Sequence, residues 1–222
     1  MAINLQKITL ERTGDSHVID LSKKTGGLTQ EININLNWSK GTTKKSGLFG
    51  GLFSSDSTDI DLDLGCFYEL NNGEKSVIDG LQFAKGTGGP KEQLTRQGRY
   101  TGVPWIWHTG DDRGAAAGSG ENIIVNPQGM QDLKRIVVYC FIYDGVANWA
   151  ETNGIVTVSV PGVADIEVQL GKQSSPNNFC AIAEILFSHN TINVKKLVTF
   201  HSGHGTCDIA YKWGLEWGFG AK

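Results

Sequence analysis

The chain has 222 residues and a formal net charge of -3, from 20 Lys and Arg against 23 Asp and Glu. This balance argues against a nucleic-acid partner, because phosphate binding needs concentrated positive charge. The length suits one large all-β domain or two small ones, and 29 glycines with only 5 prolines indicate many tight turns between strands.

The N-terminal residues 1–7 show no basic segment followed by an apolar one, and no apolar run reaches the roughly 18 residues of a membrane span. We therefore expect a cytoplasmic protein without a transmembrane segment. The cysteines are far apart and form no CxxC pair, so we expect free thiols and no disulfides. They are Cys66, Cys140, Cys180 and Cys207.

Two apolar stretches near the start, 3–10 and 18–21, flank a turn signal at 13–15 and predict a first pair of strands. The segment 31–38 then alternates polar and apolar residues without a fault, which predicts a strand with one face in the core. The side chains expected to face the core are Ile32, Ile34, Leu36 and Trp38.

Residues 40–57 interrupt this pattern with glycine, serine and lysine, a composition that predicts a flexible loop. The centre of the loop is apolar, which leaves two interpretations. The apolar side chains fold back on their own domain, or they contact a partner protein or a membrane surface. These side chains are Leu48, Phe49, Leu52 and Phe53.

The stretch 59–65 reads DIDLDLG and alternates acidic with apolar residues. As a strand it places its aspartates on one face, about 6.6 Å apart at a rise of ~3.3 Å per residue. Such neighbours repel by roughly 2.5 kcal/mol at an effective dielectric near 20, so a cation is one way to neutralise them. Oxygen ligands favour Ca²⁺ over Zn²⁺. The alternative is a solvated acidic strand that discourages aggregation.

The rest of the chain predicts further strands at regular spacing. A turn at 71–73 leads to a strand at 76–78, and an aromatic strand at 105–108 leads into the turn-rich sequence HTGDDRG. With almost no amphipathic helix, this pattern predicts an all-β fold, a two-sheet β-sandwich with long loops and at most short helices. Later strands are expected at 122–125, 135–143, 155–160, 166–170, 179–187 and 192–200, and a short helix at 206–218.

Four motifs together resemble the TerD family of tellurium-resistance and stress proteins, and within it the TerA-type members. They are DIDLDLGCFYEL, HTGDDRG, IYDGVANW and VTVSVPGVADIEVQL. The resemblance implies a single TerD-like β-sandwich domain over 1–222 that binds Ca²⁺ at one end. It also implies a role in tellurite and general stress resistance without enzymatic activity. The partners expected are other stress-resistance proteins, with the membrane surface as a place of contact.

The resemblance assigns metal-ligand roles to individual positions of this chain. Where typical members have GDGDDE, residues 118–121 read GSGE and lack several carboxylates, so a second calcium site is expected to be weakened or lost. Asp144, at a strand end, is either a further calcium ligand or an ordinary turn aspartate. The positions that match the family's ligands are Asp59, Asp61, Asp63, Asp111, Asp112 and Glu121.

A calcium-dependent, lectin-like ligand-binding module is the alternative function, because β-sandwiches bind glycans through metals and aromatic side chains. Residues 201–208 read HSGHGTCD and suggest zinc, but their spacing is not that of a zinc finger and favours a surface turn. A hydrolase with Asp61 and Asp111 as paired acids is disfavoured, because carboxylates around calcium stay ionised. The tryptophans considered for a sugar platform are Trp105, Trp107, Trp149, Trp213 and Trp217.

Overall fold

The computed structural model describes residues 6–22, 28–38, 60–80, 90–110, 120–143, 149–171 and 174–217. In these ranges the chain forms a seven-stranded and a six-stranded sheet, with two short α-helices, which confirms the predicted two-sheet β-sandwich. The helices are α1 (Trp149–Thr152) and α2 (His204–Tyr211). The strands are β1 (Ile8–Leu10), β2 (Ser16–Asp20), β3 (Ile32–Asn37), β4 (Leu62–Leu70), β5 (Lys75–Asp79), β6 (Gly98–Arg99), β7 (Ile106–His108), β8 (Glu121–Val125), β9 (Leu133–Ile142), β10 (Ile155–Ser159), β11 (Ile166–Gln169), β12 (Phe179–Ser188) and β13 (Thr191–His201).

The seven-stranded sheet has the order β1-β11-β10-β3-β8-β7-β6, and the six-stranded sheet has the order β2-β13-β12-β9-β4-β5. β9 is central and pairs with both β4 and β12, as its apolar residues on both faces predict. β1 runs parallel to β11, and β2 runs antiparallel to β13. In the described ranges, no helix is long and apolar enough to span a membrane.

The prediction that 3–10 and 18–21 pair with each other is wrong. β1 joins the edge of the seven-stranded sheet, whereas β2 joins the edge of the six-stranded sheet. The buried side-chain nitrogen of Lys196 holds the turn between them by donating to the carbonyls of Leu10, Glu11 and Gln169 at 3.0–3.1 Å. The local turn signal therefore marks a crossing between sheets, because each short strand finds a partner distant in the sequence.

The core between the sheets follows the alternation of the strands. The four side chains of segment 31–38 expected in the core are buried there, and Ile60, Leu62 and Leu64 join them from the other sheet. The side chains in between point to the outer face of each sheet. The apolar and acidic residues of the DIDLDLG stretch are separated in this way.

A second apolar cluster, which we call the outer aromatic cluster, lies on the outer face of the six-stranded sheet. Residues of α2 and of the following segment pack into it, so the C-terminal part of the chain covers this face. The predicted helix at 206–218 is shorter, because α2 ends at Tyr211 and Lys212 takes a left-handed conformation with φ 60°. The buried members are Phe67, Val137, Tyr139, Phe141, Phe179, Ala181, Leu197, Cys207 and Trp213.

Candidate functional site

Several strand ends meet at one end of the sandwich, where the predicted ligands that the structure describes are found. β4 begins there with Leu62 opposite Ile142, the last residue of β9. β8 begins there with Glu121 opposite Leu36. We call this region the acidic end and define it by Asp61, Asp63 and Glu121.

Asp63 lies on the outer face of β4, because Leu62 and Leu64 on either side of it point into the core. Its side chain is only 4% exposed. Its Oδ1 lies 3.4 Å from the point that a Cβ at Gly80 would occupy, so the carboxylate is close to the chain just after β5. Asp61 precedes β4 and accepts a hydrogen bond on its backbone carbonyl from Tyr143 N at 3.2 Å.

Glu121 reaches from the seven-stranded sheet to the backbone of β4. Ile123 and Val125 of the same strand face the core, and alternation turns Glu121 in the same direction. Its Oε2 accepts a hydrogen bond from Leu64 N at 2.6 Å, and the residue is 1% exposed. A buried carboxylate needs such bonds, because an ionised group removed from water is otherwise very costly.

His108 of β7 binds the same residue of β4. Its Nε2 lies 3.1 Å from the carbonyl oxygen of Leu64 and 3.7 Å from Glu121 Oε2. Its Nδ1 accepts a hydrogen bond from Gly110 N at 3.1 Å. Since Nδ1 is the acceptor, Nε2 carries the proton and donates to Leu64.

Side chains thus take the place of a strand beside Leu64. The carbonyl of Asp61 points to β9, so alternation turns the backbone groups of Leu64 to the opposite edge. β5 pairs with β4 there only from Gly65 onward. Glu121 and His108 bind the N–H and the C=O of Leu64 and fasten the acidic half of β4 to the other sheet.

Gln97 lies next to His108, just before β6. Its backbone carbonyl accepts from His108 N, and its Nε2 donates to the His108 carbonyl, both at 2.9 Å. The residue is 1% exposed, and its Oε1 is buried without a hydrogen-bond partner. Sequence reasoning missed Gln97, because a single glutamine in a glycine-rich segment matches no motif.

The charges of the acidic end act on one buried thiol. Burial raises the pKa of Cys140 well above its ordinary value, and Cys180, Glu121 and Asp63 raise this pKa further. Both carboxylates therefore lie within electrostatic reach of the same point on β9. A thiol with such a raised pKa carries little thiolate and is unreactive.

The remaining predicted site residues fall outside the described ranges. Within those ranges, no three His, Cys, Asp or Glu side chains form a group that could hold a metal ion. The donors present are carboxylate and amide oxygens, the ligands that Ca²⁺ prefers, and the buried Oε1 of Gln97 is an acceptor that a cation would occupy. The described donors therefore fit Ca²⁺ in chemistry. The residues outside the described ranges are Asp59, Asp111, Asp112, Asp144, Leu48, Phe49, Leu52 and Phe53.

The residues considered for zinc are engaged in the fold. His204 Nε2 contacts Asp79 Oδ2, and Asp208 accepts hydrogen bonds from Gly214 N and Leu215 N. The expectation of a surface turn is also wrong, because this segment forms α2 and buries Cys207 and Asp208. Burial, with the charge of Asp208, raises the pKa of Cys207 to about 12.

Of the tryptophans considered for a sugar platform, Trp213 and Trp217 both pack against Phe67, whereas Trp149 and Trp105 have other contacts. Trp149 packs against Phe200, and Trp213 stacks on Phe67 with ring centroids 5.4 Å apart. Trp105 donates its Nε1 proton to Asp132 at 2.7 Å. These contacts do not gather the five rings into one platform, so they do not favour the lectin-like alternative.

No protein-family model matches the chain. Over 220 residues the chain is 36% identical to the tellurium resistance protein TerA of Alcaligenes sp, an alignment that covers 99% of this chain and 60% of TerA. The crystal structure of SAV2460, a protein of unknown function, covers 84% of this chain and 98% of its own at a TM-score of 0.54 and 13% identity, which supports the fold alone. A homologue of the telluride resistance protein TerD from Streptomyces coelicolor A3(2) gives a TM-score of 0.49 at 14% identity, over 82% and 95% of the two chains.

Proposed function

We propose that the chain is a TerA-like member of the TerD family that binds Ca²⁺ at the acidic end and acts as a non-enzymatic binding or scaffold protein in tellurite and general stress resistance. The 36% identity to TerA over 99% of this chain supports the proposal. The chain spans 60% of TerA, so the role of the whole protein is part of this proposal. The observation that supports calcium most directly is the burial of two carboxylates and one amide oxygen around His108 and Leu64.

In this proposal Asp61, Asp63 and Glu121 contribute carboxylate oxygens to the ion. A bound Ca²⁺ supplies positive charge that offsets the cost of burying carboxylates, and it links the start of β4 to the start of β8. Glu121 serves two purposes, because Oε2 also accepts the hydrogen bond from Leu64 N. Predicted ligands outside the described residues are Asp59, Asp111, Asp112 and Asp144.

We further propose a reducing compartment, the cytoplasm, and other stress-resistance proteins as partners. All four cysteines are buried free thiols, and structural disulfides are rare where thiols are kept reduced. The proposed contact with partners or with a membrane surface is the apolar centre of 40–57. Its side chains, Leu48, Phe49, Leu52 and Phe53, lie outside the described residues.

Titration calorimetry of protein stripped with chelator tests calcium binding. The wild-type protein should bind Ca²⁺, and Asp63→Asn should weaken binding about tenfold or more, since it removes a ligand charge. Glu74→Gln, at an exposed turn far from the acidic end, is the matched control and should bind like wild type. The proposal fails if Ca²⁺ produces no binding, or if Zn²⁺ or Mg²⁺ binds tightly in its place.

A further inference from the structure

We propose that Gln97 is a neutral oxygen ligand of the cation at the acidic end, bound through its side-chain Oε1. The inference rests on the proposed calcium binding and adds a ligand that no motif of the chain indicates. It starts from a single observation: Oε1 of this 1% exposed residue is buried without a hydrogen-bond partner.

The hydrogen bond between Gln97 and His108 shows that the side-chain atom without a partner is the amide oxygen and not the amide nitrogen. Nε2 donates to the His108 carbonyl oxygen at 2.9 Å. With the amide rotated by half a turn, two oxygens would face each other, so the NH₂ group must point to His108. The atom left over is therefore a carbonyl oxygen, an acceptor that needs a donor or a cation.

The direction of the side chain follows from strand pairing. Gln97 lies opposite His108, and residues directly opposite on paired strands share a face of the sheet. His108 points to β4, where Nε2 binds Leu64, so Gln97 also faces β4. The next residue, Gly98, lies against β5, since a Cβ there would be 2.8 Å from Ile78 Cδ1.

The same end holds the carboxylates that would share the ion. Asp63 packs beside Gly80, just after β5, and Glu121 lies 3.7 Å from His108 Nε2. A buried acceptor without a partner destabilises the fold. A water molecule could bond to Oε1, but a cation would also offset the charge of the carboxylates. A glutamine oxygen adds a ligand without adding repulsion, and amide carbonyls are ordinary ligands of Ca²⁺.

Three variants test the assignment. Gln97→Met keeps the length of the side chain but removes the oxygen, and it should weaken Ca²⁺ binding about tenfold. Gln97→Glu keeps an oxygen there and adds a charge but loses the NH₂ group that donates to His108, so it should bind Ca²⁺ more tightly than Gln97→Met. Asn193→Leu is the control, because it removes another buried orphan oxygen, Asn193 Oδ1 on β13, and should leave the affinity unchanged.

Nuclear magnetic resonance of the wild-type protein provides a second readout that needs no variant. On addition of Ca²⁺, the side-chain amide signals of Gln97 should shift, whereas those of Asn193 should stay in place. If Asp63→Asn loses calcium while Gln97→Met binds like wild type and the Gln97 signals do not move, the ligand assignment is overturned and the proposed function stands. If the wild-type protein binds no Ca²⁺, the proposed function falls and the ligand assignment falls with it.

Discussion

The outer aromatic cluster and the acidic end both bury carboxylates, but they satisfy their polar groups differently. Beside the aromatic cluster, Asp208 accepts three N–H bonds from the C-terminal segment, and Asp79 accepts the hydroxyl proton of Tyr139 at 2.7 Å. At the acidic end the buried oxygen of Gln97 has no such donor. Folding thus supplies donors to the carboxylates of the first region, although Trp213 Nε1 is left without an acceptor there, whereas in the second region the atom without a partner is an acceptor.

The two regions share β4, and Gly65 separates them. Asp63 and Phe67 lie on the same face of the strand, on either side of Gly65. The ring of Tyr139 covers Gly65, where an added Cβ would come within 2.4 Å of it. The glycine that ends DIDLDLG therefore has a packing role, because only a residue without a side chain accommodates the tyrosine ring.

The largest effect on stability is expected from the aromatic cluster. Phe67→Ala should lower the free energy of unfolding by about 3–5 kcal/mol, because it leaves a cavity under the rings of Tyr139 and Trp213. Urea denaturation measures the change. The control Val18→Ala, at an exposed position of β2, should change stability by no more than about 0.5 kcal/mol. A loss below 1 kcal/mol for Phe67→Ala would show that the cluster adds little to the fold.

A smaller effect is expected at Asp208, whose carboxylate holds the C-terminal segment. Asp208→Asn should cost about 1–3 kcal/mol, because one of the N–H groups then faces an NH₂ in place of an acceptor. The indole fluorescence of Trp217, which donates to Asp208 at 2.9 Å, should shift to longer wavelength. Glu216→Gln, exposed in the same segment, is the control. If both variants behave alike, the carboxylate does not hold the segment.

The next effect depends on pH and involves Glu69 on the outer face of β4. Burial opposes ionisation of Glu69, but hydrogen bonds from Lys134 and Arg135, with their charges, outweigh it and lower the pKa below the ordinary value of 4.5. Because the pKa of Glu69 is lower in the folded protein than in the unfolded chain, ionised Glu69 stabilises the fold above pH 4.5. This stabilisation is lost as the pH falls through the pKa of Glu69 in the folded protein.

Wild-type protein should therefore lose about 1 kcal/mol more than Glu69→Gln between pH 7 and pH 3, a modest figure because Lys134 is largely exposed. Urea denaturation at the two pH values measures this difference. Equal losses in both proteins would show that the Glu69 ion pairs do not contribute to acid sensitivity.

The smallest effect on metal-free stability is expected at the acidic end. Asp61→Asn removes a ligand but also a repelling charge, so without metal it should melt no lower than wild type. It should lose most of the stabilisation by Ca²⁺, and more of it than Asp112→Asn, because residues 118–121 lack the carboxylates of a second site. Melting curves with Ca²⁺ and with chelator compare the two. A larger loss in Asp112→Asn would place the occupied site in the second motif.

The strands could be predicted from the sequence because alternation of apolar and polar residues is a local signal. The pairing partners of β1 and β2 could not be predicted from the sequence, because a short strand pairs with a sheet edge that only the rest of the fold creates. Asp63 and Glu121 were found through a motif. His108 binds Leu64 of the other sheet, and Gln97 binds His108 across neighbouring strands. Both contacts depend on the folded arrangement, so no spacing in the sequence marks these two residues.

The central claim is that the acidic end binds Ca²⁺, and thermal unfolding of wild type and Asp63→Asn, each with Ca²⁺ and with chelator, tests it most directly. A ligand that binds only the folded state adds about 2.7 kcal/mol at a hundredfold excess over its Kd. We expect this gain in wild type and in the Glu74→Gln control, and little of it in Asp63→Asn. Equal gains in all three proteins, or none in wild type, would contradict the account.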